Sequence, residues 1–359
     1  MRYDGNMKVF DGHNDTILEI FSPDPGHERS FFQKNTIGQL DLPRVRLGGF
    51  GGGLFSLYIP APIGSPERNP HYGLTITEDG YRMPLPSALN QTYAENFINS
   101  ELEFLKRLEQ EARGKVKLVT NFQELDSCWK NEILSMVLHF EGAEAIRADI
   151  SNLEHFYEQG LRSLGIVWSR PNVFGNGVPF MYPHSPDTGE GLTQIGKKLV
   201  YQCNQSGIML DLAHLNEKGF WDVAKISDKP LVVSHAGIYE LNQSSRNITD
   251  NQLEAIKKTN GIIGIMFEPI LTRSDGKPNK ETSLRVIIEH IQYVVDKIGI
   301  DYVGIGSDFD GAKMPLELKD VTGLPKLIGL LQSIGYDTDS IEKIASKNWL
   351  RVLRETWKE

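Results

Sequence analysis

The chain has 359 residues, 40% of them hydrophobic, which suits one large α/β barrel or two medium domains with a sizeable core. A formal net charge of −9 with no long basic run argues against nucleic acid as a partner, and two cysteines, Cys128 and Cys203, give neither a disulfide framework nor a cysteine metal site. No stretch approaches ~18 apolar residues and the opening segment Met1–Lys8 lacks a signal-peptide core, so the expectation is a cytoplasmic protein with no membrane partner.

In chain order, apolar runs predict strands near 8–13, 54–59, 135–141, 162–167, 208–213, 230–235, 262–267 and 302–307. Helical patterns lie near 90–112, 151–159, 193–206, 216–225, 249–259, 283–298 and 320–334, with a last helix over 339–357. Strands that alternate with helices imply parallel βα units, and continuous apolar runs fit strands buried on both faces. Eight such units predict an α/β fold of the closed (β/α)8 TIM-barrel type, one domain over residues 1–359. Thr249 and Gln252 form a capping-box pair at one helix start, and Gly261 is placed to end that helix. Two long loops stand out. Residues 60–89 carry Pro60, Pro62, Pro66, Pro70, Pro84 and Pro86, and residues 170–192 carry Pro171, Pro179, Pro183 and Pro186. They follow the second and fourth strands and serve either as active-site cover or as peripheral ornament or oligomer contact.

Five strand ends carry His, Asp or Glu, and in a closed barrel these ends converge on one rim. His13 and Asp15 are two apart, so on a strand they share a face. Glu141 ends the third run, and its two oxygens could bridge two metals; the alternative is a buried glutamate paired with an arginine. His139, two residues earlier, lies deeper and reads as a core histidine or one behind the ligands. His214 and His235 end successive strands 21 residues apart, and neutral imidazole is a good zinc ligand. Asp308, in a glycine-flanked segment after the last strand, could accept a proton from a metal-activated water or act as a ligand; Asp310 reads as a loop-orienting residue. Arg246, in a polar loop after the sixth strand, could clamp a carboxylate or be a surface arginine. The run Gly48–Gly53 resembles a phosphate loop only in glycine content; it precedes a strand, and close backbone packing is its expected role. A two-metal hydrolase is the leading reading.

These segments together resemble the membrane (renal-type) dipeptidase family of zinc peptidases, M19, within the amidohydrolase-like barrels. The matching stretches are Phe10–Asp15, Gly52–Tyr58, Glu141-Gly142, Asp211-Leu-Ala-His214, Ser234-His235, Ser245-Arg-Asn247 and Gly306–Gly311; Trp168-Ser-Arg-Pro-Asn172 matches the soluble bacterial branch. The resemblance implies a distorted barrel with two zinc ions per chain. His13 and Asp15 would hold one ion, His214 and His235 the other, and Glu141 would bridge. Asp308 would handle protons, and Arg246 would hold the C-terminal carboxylate of a dipeptide. One departure is plain: Trp168 stands where the animal enzymes carry a substrate-contacting histidine, so Trp168 or Arg170 would supply that contact. The expected activity is zinc-dependent hydrolysis of dipeptides with a free C-terminal carboxylate. The rivals are a lactonase, amidase or deaminase on the same barrel, or a non-catalytic metal-binding barrel. A homodimer is compatible with the sequence.

Overall fold

The computed structural model describes residues 7–22, 26–69 and 71–358. The segment before Met7, residues 23–25, Pro70 and Glu359 lie outside the described residues. Eight parallel strands form the barrel: β1 Val9–Asn14, β2 Phe50–Leu57, β3 Leu134–Phe140, β4 Leu161–Gly165, β5 Met209–Asp211, β6 Val232–Ala236, β7 Ile262–Ile265 and β8 Val303–Ile305. Each pairs with the next in sequence, and β8 closes on β1 at Ile305 and Asp11. All eight expected strands are present. The cause is their burial, since both faces are covered and both must be apolar.

One inner cluster, including Phe10, Leu54, Val137, Met209, Val232 and Ile262, fills the barrel, and the C-terminal helix Asn348–Thr356 adds Trp349 to it. The Trp349 indole N–H donates to the Ile305 carbonyl at 2.9 Å. A second, larger cluster lies between the sheet and the surrounding helices. Among the described residues, no helix is long and apolar enough to cross a membrane.

The distortion is local. A three-residue strand, Val116–Leu118, pairs with Leu134–Met136, while β4 pairs with Leu138–Phe140. The edge of β3 away from β2 therefore serves two neighbours. Several expectations need correction. Strand β2 starts at Phe50, inside the glycine run rather than after it. A Cβ at Gly52 would stand 2.7 Å from the Ser135 carbonyl oxygen, so the glycines let β2 lie close against its neighbours. Gly261 does not supply the left-handed residue that ends the helix Asp250–Lys258; Asn260 does, at φ 58°, which Asn tolerates. Gly261 is needed for space, since its Cβ would meet the Leu231 carbonyl oxygen at 2.0 Å. The capping partner is in place: Thr249 N–H donates to Gln252 Oε1 at 2.9 Å. The last helix is three pieces, Thr338–Glu342, a wide π turn at Lys343–Lys347, and Asn348–Thr356.

The two long loops are not structureless. Thr75–Ile76, Tyr81–Met83 and Phe180–Tyr182 form a small antiparallel sheet that joins them. Ser245 N–H donates to the Met181 carbonyl at 2.9 Å, and Met181 N–H to Ser245 Oγ at 3.0 Å, which ties this sheet to the loop bearing Arg246.

Candidate functional site

The C-terminal ends of β1, β3, β5, β6 and β8 bring the expected residues to one place. Glu141 Oε1 lies 3.0 Å from His214 Nε2, 3.6 Å from His13 Nε2 and 3.8 Å from His235 Nε2. His13 Nε2 is 3.4 Å from Asp15 Oδ2. One ligand atom each from His13, Glu141 and His235, and one each from His13, Asp15 and Asp308, lie within 4.8 Å of one another. His13, Asp15, Glu141, His214 and His235 are all buried. Continuous strands would carry these residues past the rim, but His214 and Asp308 both have a left-handed backbone, at φ 63° each, which turns the chain there.

A network not singled out in the sequence orients the histidines. Asp211, at the end of β5, accepts Ser234 N–H at 2.8 Å and Ala213 N–H at 3.1 Å with one oxygen. Its other oxygen accepts the Ser234 hydroxyl at 2.5 Å. That commits the only Ser234 hydroxyl proton. Ser234 Oγ also lies 2.8 Å from His235 Nδ1, so it must accept there. His235 therefore carries its proton on Nδ1 and presents a bare Nε2, the form a metal needs. Ser169 Oγ lies 2.8 Å from His214 Nδ1. His139 sits behind the site, with Nδ1 2.9 Å from Ser163 Oγ and Nε2 3.5 Å from Asp211. A charged residue inside a buried strand was the sequence signal for Asp211.

The charges ask for a cation. Burial alone would lower the His13 imidazole, but Glu141 and Asp15 hold it up at about 10. Burial and the Asp15 charge push Glu141 well above the usual carboxylate range. Burial, with the charges of His13 and Arg246, pushes His214 and His235 well below the usual imidazole range. The Nε2 atoms of His214 and His235 stand 3.0 Å apart, and Arg246 Nη2 donates to His235 Nε2 at 2.8 Å. A guanidinium thus rests on the lone pair a metal would take. His13 Nε2 and Asp15 Oδ1 are buried without a hydrogen-bond partner among the described residues. Imidazole nitrogens and carboxylate oxygens in this arrangement fit divalent ions such as zinc.

Around this cluster the rim has two characters. On one side Tyr58, Trp168 and Phe180 form an aromatic wall, with ring centroids 5.1 Å and 6.0 Å apart; the Trp168 ring is 5.7 Å from that of His214. Arg170 does not face outward. It is buried, donates to the Ile59 carbonyl at 3.0 Å and to Tyr58 Oη at 3.3 Å, and lies 3.7 Å from Glu144. On the other side stand Asp308 and Glu268, both partly accessible. Burial raises Asp308 to about 7, against the pull of His13. Glu268, after β7, was missed because it follows an apolar run with no companion motif. Asp310 is held by Arg29 at 2.6 Å, by Thr16 at 2.9 Å and by the Gln39 amide at 2.6 Å, which locks the loop.

The family model for membrane dipeptidase (peptidase family M19) matches residues 4–358. A metallopeptidase from Rhodobacter sphaeroides, solved with a phosphinate mimic of the dipeptide L-Ala-D-Ala, superposes with a TM-score of 0.93 at 42% identity, over 98% of this chain and 100% of that one. A structure described as dipeptidase AC, also of family M19, gives a TM-score of 0.92 at 42% identity over 98% and 99% of the two chains. A Klebsiella pneumoniae protein named for the region 5′ of pqqA is 40% identical over 259 residues, 72% of this chain and 96% of that one. With a match across the whole barrel and two such neighbours, the chain belongs to the membrane dipeptidase family, peptidase family M19, and is a metallo-dipeptidase.

Proposed function

We propose that the protein is a zinc dipeptidase that cleaves dipeptides with a free C-terminal carboxylate. His13 and Asp15 would hold one ion, His214 and His235 a second, and Glu141 both. The observation that carries this is the convergence of three imidazole nitrogens within 3.0 to 3.8 Å of a single Glu141 oxygen. Two such ions would polarise the scissile carbonyl and acidify an attacking water.

The remaining work falls to the protein's own groups. Asp308, partly accessible beside His13 and Asp15, takes a proton and returns it to the leaving nitrogen. Arg246, on the rim beside His235, holds the substrate carboxylate, which limits the substrate to one residue beyond the scissile bond. Trp168, whose indole N–H can donate but not accept, borders the substrate near His214, and Arg170 supports that wall from behind through Tyr58. Phe180, on the small sheet, lies 6.0 Å from the His214 ring, so that sheet borders the site. Cys128 and Cys203 are buried free thiols, in keeping with a cytoplasmic location.

The test is a substrate-and-variant cycle. Arg246→Ala should impair hydrolysis of a free-acid dipeptide far more than that of its C-terminal amide. Equal loss on both would remove the carboxylate role from Arg246. Turnover of lactones with no hydrolysis of any dipeptide would sink the dipeptidase reading itself. Metal analysis should return about two zinc ions per chain.

A further inference from the structure

Strands β6, β7 and β8 are neighbours in the barrel, and each is followed by a charged residue of the site: Arg246, Glu268 and Asp308. Two of these have roles at the C-terminal half of the substrate. Arg246 takes its carboxylate, and Asp308 meets its nitrogen, the leaving group. Both atoms are attached to the same Cα. The third substituent of that Cα is the side chain of the C-terminal residue, and the rim group between the two contacts is Glu268.

Glu268 is built to stay there. Its carbonyl accepts the N–H groups of Leu271 at 3.2 Å and Thr272 at 3.1 Å, which fixes it at the head of the turn Pro269–Thr272. Its carboxylate lies close to the charge of Lys313, from the loop that carries Asp308. It is partly accessible, whereas Arg246 is only 3% exposed. The opposite wall is Tyr58, Trp168 and Phe180, so the two halves of a dipeptide meet unlike surfaces. Lys313 and Arg246 compensate the Glu268 carboxylate only in part. Burial and the Asp308 charge push it up to about 8 in spite of Lys313 and Arg246. A cationic partner would relieve that imbalance, and a neutral one would not.

We infer that Glu268 selects dipeptides whose C-terminal residue has a cationic side chain, such as lysine or arginine. The inference rests on the dipeptidase reading above. Because L and D residues exchange hydrogen and side chain on a Cα held by its nitrogen and carboxylate, only one enantiomer points its side chain at Glu268.

The experiment uses the full-length zinc-loaded enzyme and four substrates: alanyl-lysine and alanyl-norleucine, each with an L or a D C-terminal residue. Norleucine keeps the chain length and removes the charge. In the unaltered enzyme, kcat/KM should favour lysine over norleucine by about tenfold in one enantiomeric series, as for a hydrogen bond to a charged group. In Glu268→Gln that ratio should fall to about one. Absence of the preference in both series would overturn the inference, as would its survival in Glu268→Gln. An equal loss on all four substrates would also overturn it, since Glu268 would then act on the common part of the substrate. If Glu268→Gln does not fold, product inhibition of the unaltered enzyme decides: lysine should inhibit more tightly than norleucine by a similar factor, and equal inhibition refutes the proposal. Failure of the dipeptidase reading has a different signature, hydrolysis of none of the four, and takes this inference with it.

Discussion

Replacing Asp211 by asparagine keeps the side-chain volume and should still disarm His235. The remaining oxygen can go on accepting Ser234 N–H and Ala213 N–H, at 2.8 and 3.1 Å in the present structure. The new amide nitrogen then faces Ser234 Oγ, where a carboxylate oxygen now accepts at 2.5 Å. The amide must donate there, so the Ser234 hydroxyl turns its proton toward His235 Nδ1, 2.8 Å away. That puts the imidazole proton on Nε2, the atom a metal would need bare. Loss of such an orienting partner costs about 10- to 100-fold in metal affinity, or about 1.4–2.8 kcal/mol. Folding stability should also fall by about 1 kcal/mol, because these hydrogen bonds persist but lose their charge assistance. Zinc affinity would be measured by competition with a chelator, and the tautomer by nitrogen chemical shifts of labelled histidine in the metal-free protein. If Asp211→Asn binds both ions as the unaltered protein does, with the His235 proton still on Nδ1, the relay from Asp211 through Ser234 has no part in ligation.

Asp308→Asn should retain both ions and lose about a hundredfold or more in kcat, as for removal of a general acid–base group; loss of metal would make Asp308 a ligand instead. Trp349→Ala should destabilise the fold by about 3–5 kcal/mol in urea unfolding, because it empties the barrel floor and frees the Ile305 carbonyl. His290 is buried outside the site, accepts Ile238 N–H at Nδ1 at 2.9 Å and lies 2.8 Å from the Thr272 carbonyl through Nε2, so the fold holds it neutral. Burial lowers it to about 4, so between about 6.5 and 4 the unfolded chain binds more protons. Stability should fall as pH drops through that window, and unfolding free energies for His290→Gln should show a shallower acid limb; an unchanged limb would refute this.

The barrel was legible because its strands are buried on both faces, so each reads as an unbroken apolar run. The convergence of His13, Asp15, Glu141, His214 and His235 was legible because each lies at or just past the end of such a run. What escaped notice has other causes. Val116–Leu118 is three residues long and alternates a lysine between two apolar residues, too short for a periodic signal. The small sheet joins Tyr81–Met83 to Phe180–Tyr182 through backbone hydrogen bonds, which leave little trace in side-chain identity. Two missed helices did carry signals. Leu42–Gly48 has Asp41 as cap, a proline in its first turn and left-handed Gly49 at its end, and Phe122–Lys130 has Asn121 as cap with Glu124 three residues on. Neither shows a long apolar stripe, because both are short. Trp168 and Arg170 lie two apart in one motif and stay in contact, the guanidinium 5.3 Å from the Trp168 ring centroid, yet Trp168 joins the rim wall while Arg170 turns inward to Ile59 and Glu144.

Ser234 shows why barrel packing and ligand geometry are one problem here. Its N–H and hydroxyl go to Asp211, and its Oγ positions His235. Its carbonyl oxygen meanwhile fills space that elsewhere in a barrel would belong to side chains. A Cβ on Gly12, Gly264 or Gly306 would approach that oxygen to 2.3, 2.1 or 2.0 Å. These glycines lie on or next to β1, β7 and β8, so the backbone of β6 is pressed against three other chain segments at one level. A carbonyl held that closely cannot shift without moving the Ser234 hydroxyl, and the hydroxyl sets the tautomer of the next residue. The narrow, side-chain-poor section of the barrel is therefore the support on which His235 rests. Three glycines in three separate motifs follow from the same steric demand that keeps one imidazole nitrogen bare.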